Sequence, residues 1–330
     1  MRAHRPDPAY NPAMPEFAKP LILFIPGKNP KPAADPHRAQ LYRCLVDGMR
    51  RSDSDCAARL QAHPEWFELL AWNELFYGTS RKIDDEIPWV DQLLKKAGPT
   101  GQDIREARAW KTRFAWILYN LADRMPLLIP LIANPAIKST ILEIRRYFQN
   151  ENGIGRRIRQ LLQDRLLTAY ASNRPVLLIG HSMGSVIAFD ALWELTHEQT
   201  SPVKIDMLLT MGSPLGLSFV QNRLLGSDGS GPERYPANIR RWCNISALGE
   251  LTALDREFAD DFKKMVSLGL VEEIKDYYKG VYNYFRDEQG LNVHRSYGYL
   301  VNPVAGRVVA DWLRRVLAGS GPVLTSDPRN

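Results

Sequence analysis

Residues 180–184 read Gly-His-Ser-Met-Gly, a G-x-S-x-G spacing that sets one hydroxyl between two residues without side chains. They follow an apolar run, PVLLIG at 175–180, and lead into a helix-forming stretch at 186–195. Strand, G-x-S-x-G and helix in that order is the setting of a nucleophile elbow. A sharp turn there lifts the Ser182 hydroxyl above the sheet and forces strained backbone angles on it, and side chains at Gly180 and Gly184 would clash. The helix that follows turns its first N–H groups and its positive dipole end toward developing negative charge. The chemistry suited to such a serine is nucleophilic attack with a covalent intermediate. The plainer alternative is a glycine-rich turn with a bystander serine. A dinucleotide-binding turn, the nearest rival, needs G-x-G-x-x-G, which this turn lacks.

A serine held this way needs a buried sheet beneath it. Short apolar runs supply the strands: 20–26 (PLILFIP), 67–72 (FELLAW), 175–180, 205–211 (IDMLLTM), a weaker 241–246 (RWCNIS) and an aromatic 280–285 (GVYNYF). Helical spacing separates them at 41–49, at 186–195 and near the C-terminus, where Val304, Val308, Trp312, Leu313 and Val316 form one stripe. That last helix has a predicted start, Asn302 as N-cap and Pro303 at the first position. The alternation predicts an α/β fold with a mostly parallel sheet flanked by helices. The interval 76–173 breaks the alternation. It reads as helix at 89–96, 105–124, 137–148 and 156–171, and is expected to be a helical cap inserted into a catalytic domain made of 20–75 and 174–320. Its last helix is expected to pack on the sheet, with a proline-rich segment at 1–19 and a tail at 321–330 left outside the fold.

The chain of 330 residues carries 43 Lys/Arg and 37 Asp/Glu, a net charge of +6, with six His and three Cys. That length predicts about two domains, or one large α/β domain with an insertion, and a core large enough to need no staples. With 45% hydrophobic and 24% charged residues, it is not a disordered, collagen-like or coiled-coil chain. Cys44, Cys56 and Cys243 are too few and scattered for a disulfide framework, and no CxxC pair suggests zinc. Acyl transfer by an activated serine requires neither metal nor cofactor, and none is expected. The basic pairs Arg50-Arg51, Arg156-Arg157 and Arg240-Arg241 are isolated rather than a stripe, so no nucleic-acid partner is expected. The polar start lacks the apolar stretch of a secretory signal, and no uncharged run is long enough for a transmembrane helix. A cytoplasmic protein is the expectation.

At the elbow the sequence resembles the α/β-hydrolase superfamily, and within it the serine esterases and lipases. The resemblance spans about residues 20–75 and 174–318. It implies a chain order of nucleophile, acid, histidine. Of the six histidines only His294 lies beyond every plausible acid, in a loop before the last helix where the family's histidine is found, and it is the expected general base. His181, inside the elbow, is expected to line the pocket. Related esterases carry Trp-x-Asn on the strand before the acid, and Trp242-Cys243-Asn244 matches it. Glu250-Leu251-Thr252 then stands where the family has Asp-Pro-Val, so Glu250 is the expected acid with Asp255 as the alternative. The resemblance implies an oxyanion hole from the Met183 N–H and a second N–H in the loop Pro26-Gly27-Lys28, that of Lys28 or alternatively Gly27, with the Lys28 side chain facing solvent. Met211-Gly212-Ser213-Pro214 matches a turn that lipase-like relatives have near the pocket rim.

The reaction expected is hydrolysis of a small-molecule carboxylic ester, with hydrophobic acyl groups favoured by the apolar segment 125–137. Peripheral membrane contact through that segment and Arg145, Arg146, Arg156 and Arg157 is a second expectation. An acyltransferase, thioesterase or amidase on the same fold is the alternative. A non-catalytic binding protein is a more distant one.

Overall fold

In the computed structural model, residues 19–113, 135–250 and 258–319 are described. Six strands form one fully parallel sheet: β1 (Leu21–Ile25), β2 (Phe67–Leu69), β3 (Val176–His181), β4 (Ile205–Met211), β5 (Ile239–Ile245) and β6 (Glu273–Tyr277). Their spatial order is β2-β1-β3-β4-β5-β6. The helices that frame it are α1 (Ala34–Arg50), α2 (Trp72–Tyr77), α3 (Ile87–Lys95), α4 (Pro135–Phe148), α5 (Ile154–Ala171), α6 (Met183–His197), α7 (Ser296–Leu300) and α8 (Pro303–Leu317). Asn302 accepts a hydrogen bond from the Val304 N–H at 2.9 Å, so α8 starts with the cap its sequence predicts.

Side chains alternate along each strand, which splits the core in two. Ile22, Phe24, Leu177, Ile179 and Leu209 pack with Leu41 and Leu45 of α1 and Val309 and Leu313 of α8. Leu21, Leu23, Ile25, Leu178 and Leu208 pack with Ile158 and Leu162 of α5 and Val186 and Leu192 of α6. Every residue of β1 and β3 is buried, the reason these strands read as unbroken apolar runs.

Two expectations change. The sixth strand is Glu273–Tyr277, not 280–285. Among the described residues it pairs only with β5, so it is an edge there, and its charged Glu273 and Lys275 suit an edge strand. Val281, Tyr284 and Phe285 are buried all the same, as loop side chains packed into the α1/α8 core. Within the interval 76–173, Val90 and Leu93 of α3 join the α1-side core rather than a separate cap, while its last helix, α5, packs on α6 and the sheet as expected. The expected helix 105–124 is seen as Gly101–Arg113, and its remainder lies outside the described residues.

A buried polar network ties α4 and α5 to α6. The Tyr147 hydroxyl donates to Asp190 Oδ2 at 3.0 Å, the Leu225 N–H donates to Oδ1 at 2.9 Å, and Arg159 pairs with Glu194 at 2.7 Å. Burial, aided by the Glu194 charge, pushes the Asp190 carboxyl up to about 7. The native state then holds a proton that the unfolded chain has released above its ordinary 3.8. Stability from this group is complete below that value and is lost as pH rises toward 7. Asp190→Asn keeps the shape and removes the titration. Denaturant midpoints at pH 5 and pH 8 are therefore expected to show the variant gaining on the wild type at the higher pH.

The chain leaves β1 toward β2 on one side and leaves β3 toward β4 on the other. In open parallel sheets, ligands bind beyond the carboxyl ends of the strands at such a switch point. Here those ends are Ile25 and His181, and the residues just past them are Pro26-Gly27 and Ser182.

Candidate active site

Ser182 links β3 to α6 with φ 52° and ψ −124°, a left-handed angle that a non-glycine residue adopts only under constraint. The constraint is visible. Its N–H donates to Met211 O at 3.0 Å, and its carbonyl accepts from the Ser185 N–H at 3.0 Å and from Ser185 Oγ at 2.6 Å. Ser185 Oγ also meets Ser213 Oγ at 2.7 Å, so the Gly212-Ser213-Pro214 turn is bonded to the elbow. Both elbow glycines are needed for close approach. A Cβ on Gly180 would lie 2.7 Å from Ser185 Cα. A Cβ on Gly184 would lie 2.2 Å from Ile25 O, so the end of β1, not Gly180, excludes a side chain there.

The structure brings Ser182, His294 and Glu250 into one hydrogen-bonded chain. His294 Nε2 is 2.8 Å from Ser182 Oγ, and its Nδ1 is 2.9 Å from each Glu250 oxygen. As a carboxylate, Glu250 accepts. Nδ1 then carries the proton and Nε2 accepts from the serine hydroxyl. Glu250 is 2% exposed, and Asp255 lies outside the described residues.

Two side chains not singled out by the sequence reading fix this chain, and a third, His181, plays a different part from the one expected. Fully buried Tyr299, on α7, hydrogen-bonds Glu250 through its hydroxyl, which also accepts from the Ala247 N–H at 3.1 Å. Burial first, and the Glu250 charge second, hold that phenol well above its ordinary range, so it stays a donor. His181 is buried rather than lining an open pocket. Its Nε2–H donates to His294 O at 2.8 Å and braces the loop that carries the imidazole. Burial, then the neighbouring His294, keep His181 well below its ordinary value and so uncharged. The second of the two side chains is Asn73, 2% exposed, which donates to Gly27 O and Asn29 O, both at 2.9 Å. Its one sequence signal is an amide closing the apolar run FELLAW.

Asn73 sets the direction of the loop after β1. Trp72 Nε1 binds Pro26 O at 2.8 Å and Asn73 binds Gly27 O, so both carbonyls point at α2. Across a trans peptide the next N–H points the opposite way. The Gly27 and Lys28 N–H groups therefore turn away from α2, and neither they nor the Met183 N–H have an acceptor among the described residues. A Cβ on Gly27 would lie 2.9 Å from Ser182 Cβ, so this loop touches the serine. The Lys28 side chain does not face solvent as expected. It is half-buried, 3.8 Å from Glu143 of α4, and burial lowers its pKa. It closes a small cavity with Trp72, Phe76, Ile144, Tyr147 and Met183.

Among the described residues, no group of three or more His, Cys, Asp or Glu side chains is placed to hold a metal ion, and no helix is long and apolar enough to cross a membrane. Of the arginines considered for membrane contact, Arg146 is engaged internally: it donates to Phe76 O at 2.8 Å and stacks over the Phe76 ring. Residues 125–134 of the apolar segment lie outside the described residues. Comparison of the chain with models of known protein families, with curated proteins and with solved structures found no match in any of the three.

Proposed function

We propose that the chain is a serine hydrolase with the α/β-hydrolase fold and a helical cap, cleaving carboxylic esters through an acyl-enzyme. The observation that carries the reading is the unbroken chain Ser182 Oγ, His294, Glu250 at the switch point of a parallel sheet, with the serine in a strained strand-to-helix turn. His294 Nε2 takes the Ser182 proton as Oγ attacks the ester carbonyl. Glu250 holds the proton on Nδ1 and stabilises the imidazolium that forms. The Met183 N–H, with that of Lys28 or Gly27, receives the oxyanion at the positive end of α6. The imidazolium protonates the leaving alcohol, and His294 then activates the water that releases the acid. The apolar walls Trp72, Phe76, Ile144 and Met183 suit a hydrophobic group beside the serine.

Steady-state hydrolysis of short p-nitrophenyl esters tests the reading. Turnover in the wild type that is lost in Ser182→Ala supports it, and turnover that survives in the variant sinks it. The loop after β1 gives a subtler expectation. Asn73→Ala leaves the Gly27 and Asn29 carbonyls without their donor and loosens the second oxyanion N–H. It is expected to lower kcat by about tenfold to a hundredfold with a smaller change in KM, since the interaction lost is formed in the transition state.

A further inference from the structure

The β1 side of the site carries cations that ester cleavage itself does not use. Lys28 and Lys31 lie on the loop between β1 and α1, Arg81 follows α2, and Arg295 directly follows His294. The Arg81 N–H donates to Lys31 O at 2.9 Å, and Pro32 forms a β-bridge with Arg81, so the two segments are joined. One buried carboxylate, Glu86, sits among them. It accepts from the Arg295 guanidinium and, at 2.6 Å, from the Tyr297 hydroxyl, and it lies 4.0 Å from Arg81 Nη1. Lys28 is matched separately by Glu143.

Lys31 is the group left over. Among the described residues its ammonium makes no hydrogen bond and no ion pair, although it is half-buried. Arg295, Lys28 and Arg81 repel it, and only Glu86 opposes them. Its field reaches His181, the residue before the serine. Three residues of chain separate it from Gly27, which puts the two Cα atoms at most about 14 Å apart. Glu86, its one opposing charge, is already engaged by Arg295 and Tyr297. Burial, then repulsion by Arg295, lowers the pKa of the Lys31 ammonium to about 7, and a bound anion would hold it in its charged form.

We infer that Lys31, flanked by Arg81 and Arg295, forms a subsite for an anionic oxygen group, a carboxylate or phosphate, carried by the substrate on a short chain from its scissile ester. The inference rests on the acyl-transfer reading and narrows its substrate class. The apolar cavity at Met183 takes one part of the substrate, and the cationic corner takes the other.

Two p-nitrophenyl esters of equal acyl length test it, one ending in a carboxylate and the other in the methyl ester of that carboxylate. The wild type is expected to favour the anionic ester by about tenfold or more in kcat/KM, chiefly through KM, as a hydrogen-bonded charge pair would. In Lys31→Met the ratio is expected to fall toward one. No preference in the wild type, or the same preference in the variant, overturns the inference. Lys31→Met removes an unmatched charge, so it is expected to fold with a melting temperature at or above that of the wild type. Inorganic phosphate gives a readout without turnover. It is expected to raise the melting temperature of the wild type and of Ser182→Ala but not of Lys31→Met, and equal stabilisation of all three counts against the subsite. The two failures are distinguishable. Lys31-dependent phosphate binding without esterase activity upholds the anion site and sinks the hydrolase reading. Esterase activity without anion preference does the reverse.

Discussion

Ser182→Ala is expected to lower kcat/KM for p-nitrophenyl butyrate by about four to six orders of magnitude, with the protein still folded. The size follows from the geometry. Ser182 Oγ is the one atom that both sits 2.8 Å from His294 Nε2 and stands at the elbow beside the Met183 N–H. On the proposed mechanism, with it gone, His294 and the Met183 and Lys28 or Gly27 N–H groups give only weak help to direct attack by water. The loss is expected in kcat, because the removed bond forms on the way to the transition state. The same position stores backbone strain of about 1–3 kcal/mol, given its φ of 52°. Ser182→Gly relieves that strain, so it is expected to be equally inactive and yet to melt above the wild type. An inactive variant that is also more stable separates loss of the nucleophile from loss of fold.

Glu250→Gln is expected to lower kcat by about three to four orders of magnitude. Both Glu250 oxygens lie 2.9 Å from His294 Nδ1, in a site where the carboxylate is 2% exposed. An amide there can present N–H to the imidazole and favour the tautomer with its proton on Nε2, which cannot accept from Ser182. It also removes the charge that stabilises the imidazolium. Asp255→Asn is the paired measurement, and a change of no more than a few-fold is expected. A large loss in Asp255→Asn with little change in Glu250→Gln would exchange the two roles. Glu250→Asp withdraws the carboxylate by one methylene and is expected to fall between wild type and Glu250→Gln.

The parts legible in the sequence were those governed by local pattern. Five of the six strands were readable because a doubly covered parallel sheet demands unbroken apolar runs, as at residues 21–25 and 176–179. β6 was not, because an edge strand with Glu273 and Lys275 resembles a loop, while buried loop residues such as Val281 and Phe285 resemble a strand. Ser182, His294 and Glu250 were legible through the elbow spacing and the chain order that the resemblance implies, and the structure brings those three side chains together. The groups that hold them were not. Tyr299, Asn73 and the bracing role of His181 depend on contacts between residues 44 to 113 positions apart, which no local window contains. The Lys28 side chain departs from its expected exposure for the same reason, since its partner Glu143 comes from a helix more than a hundred residues away.

The most direct test of Ser182 as nucleophile is covalent. The full chain is treated with a fluorophosphonate probe, and the site of modification is mapped by peptide mass spectrometry. One adduct is expected, on Ser182, absent from Ser182→Ala and formed far more slowly in His294→Ala. No adduct on the folded wild type, or an adduct on another residue such as Ser213 with Ser182 untouched, would contradict it.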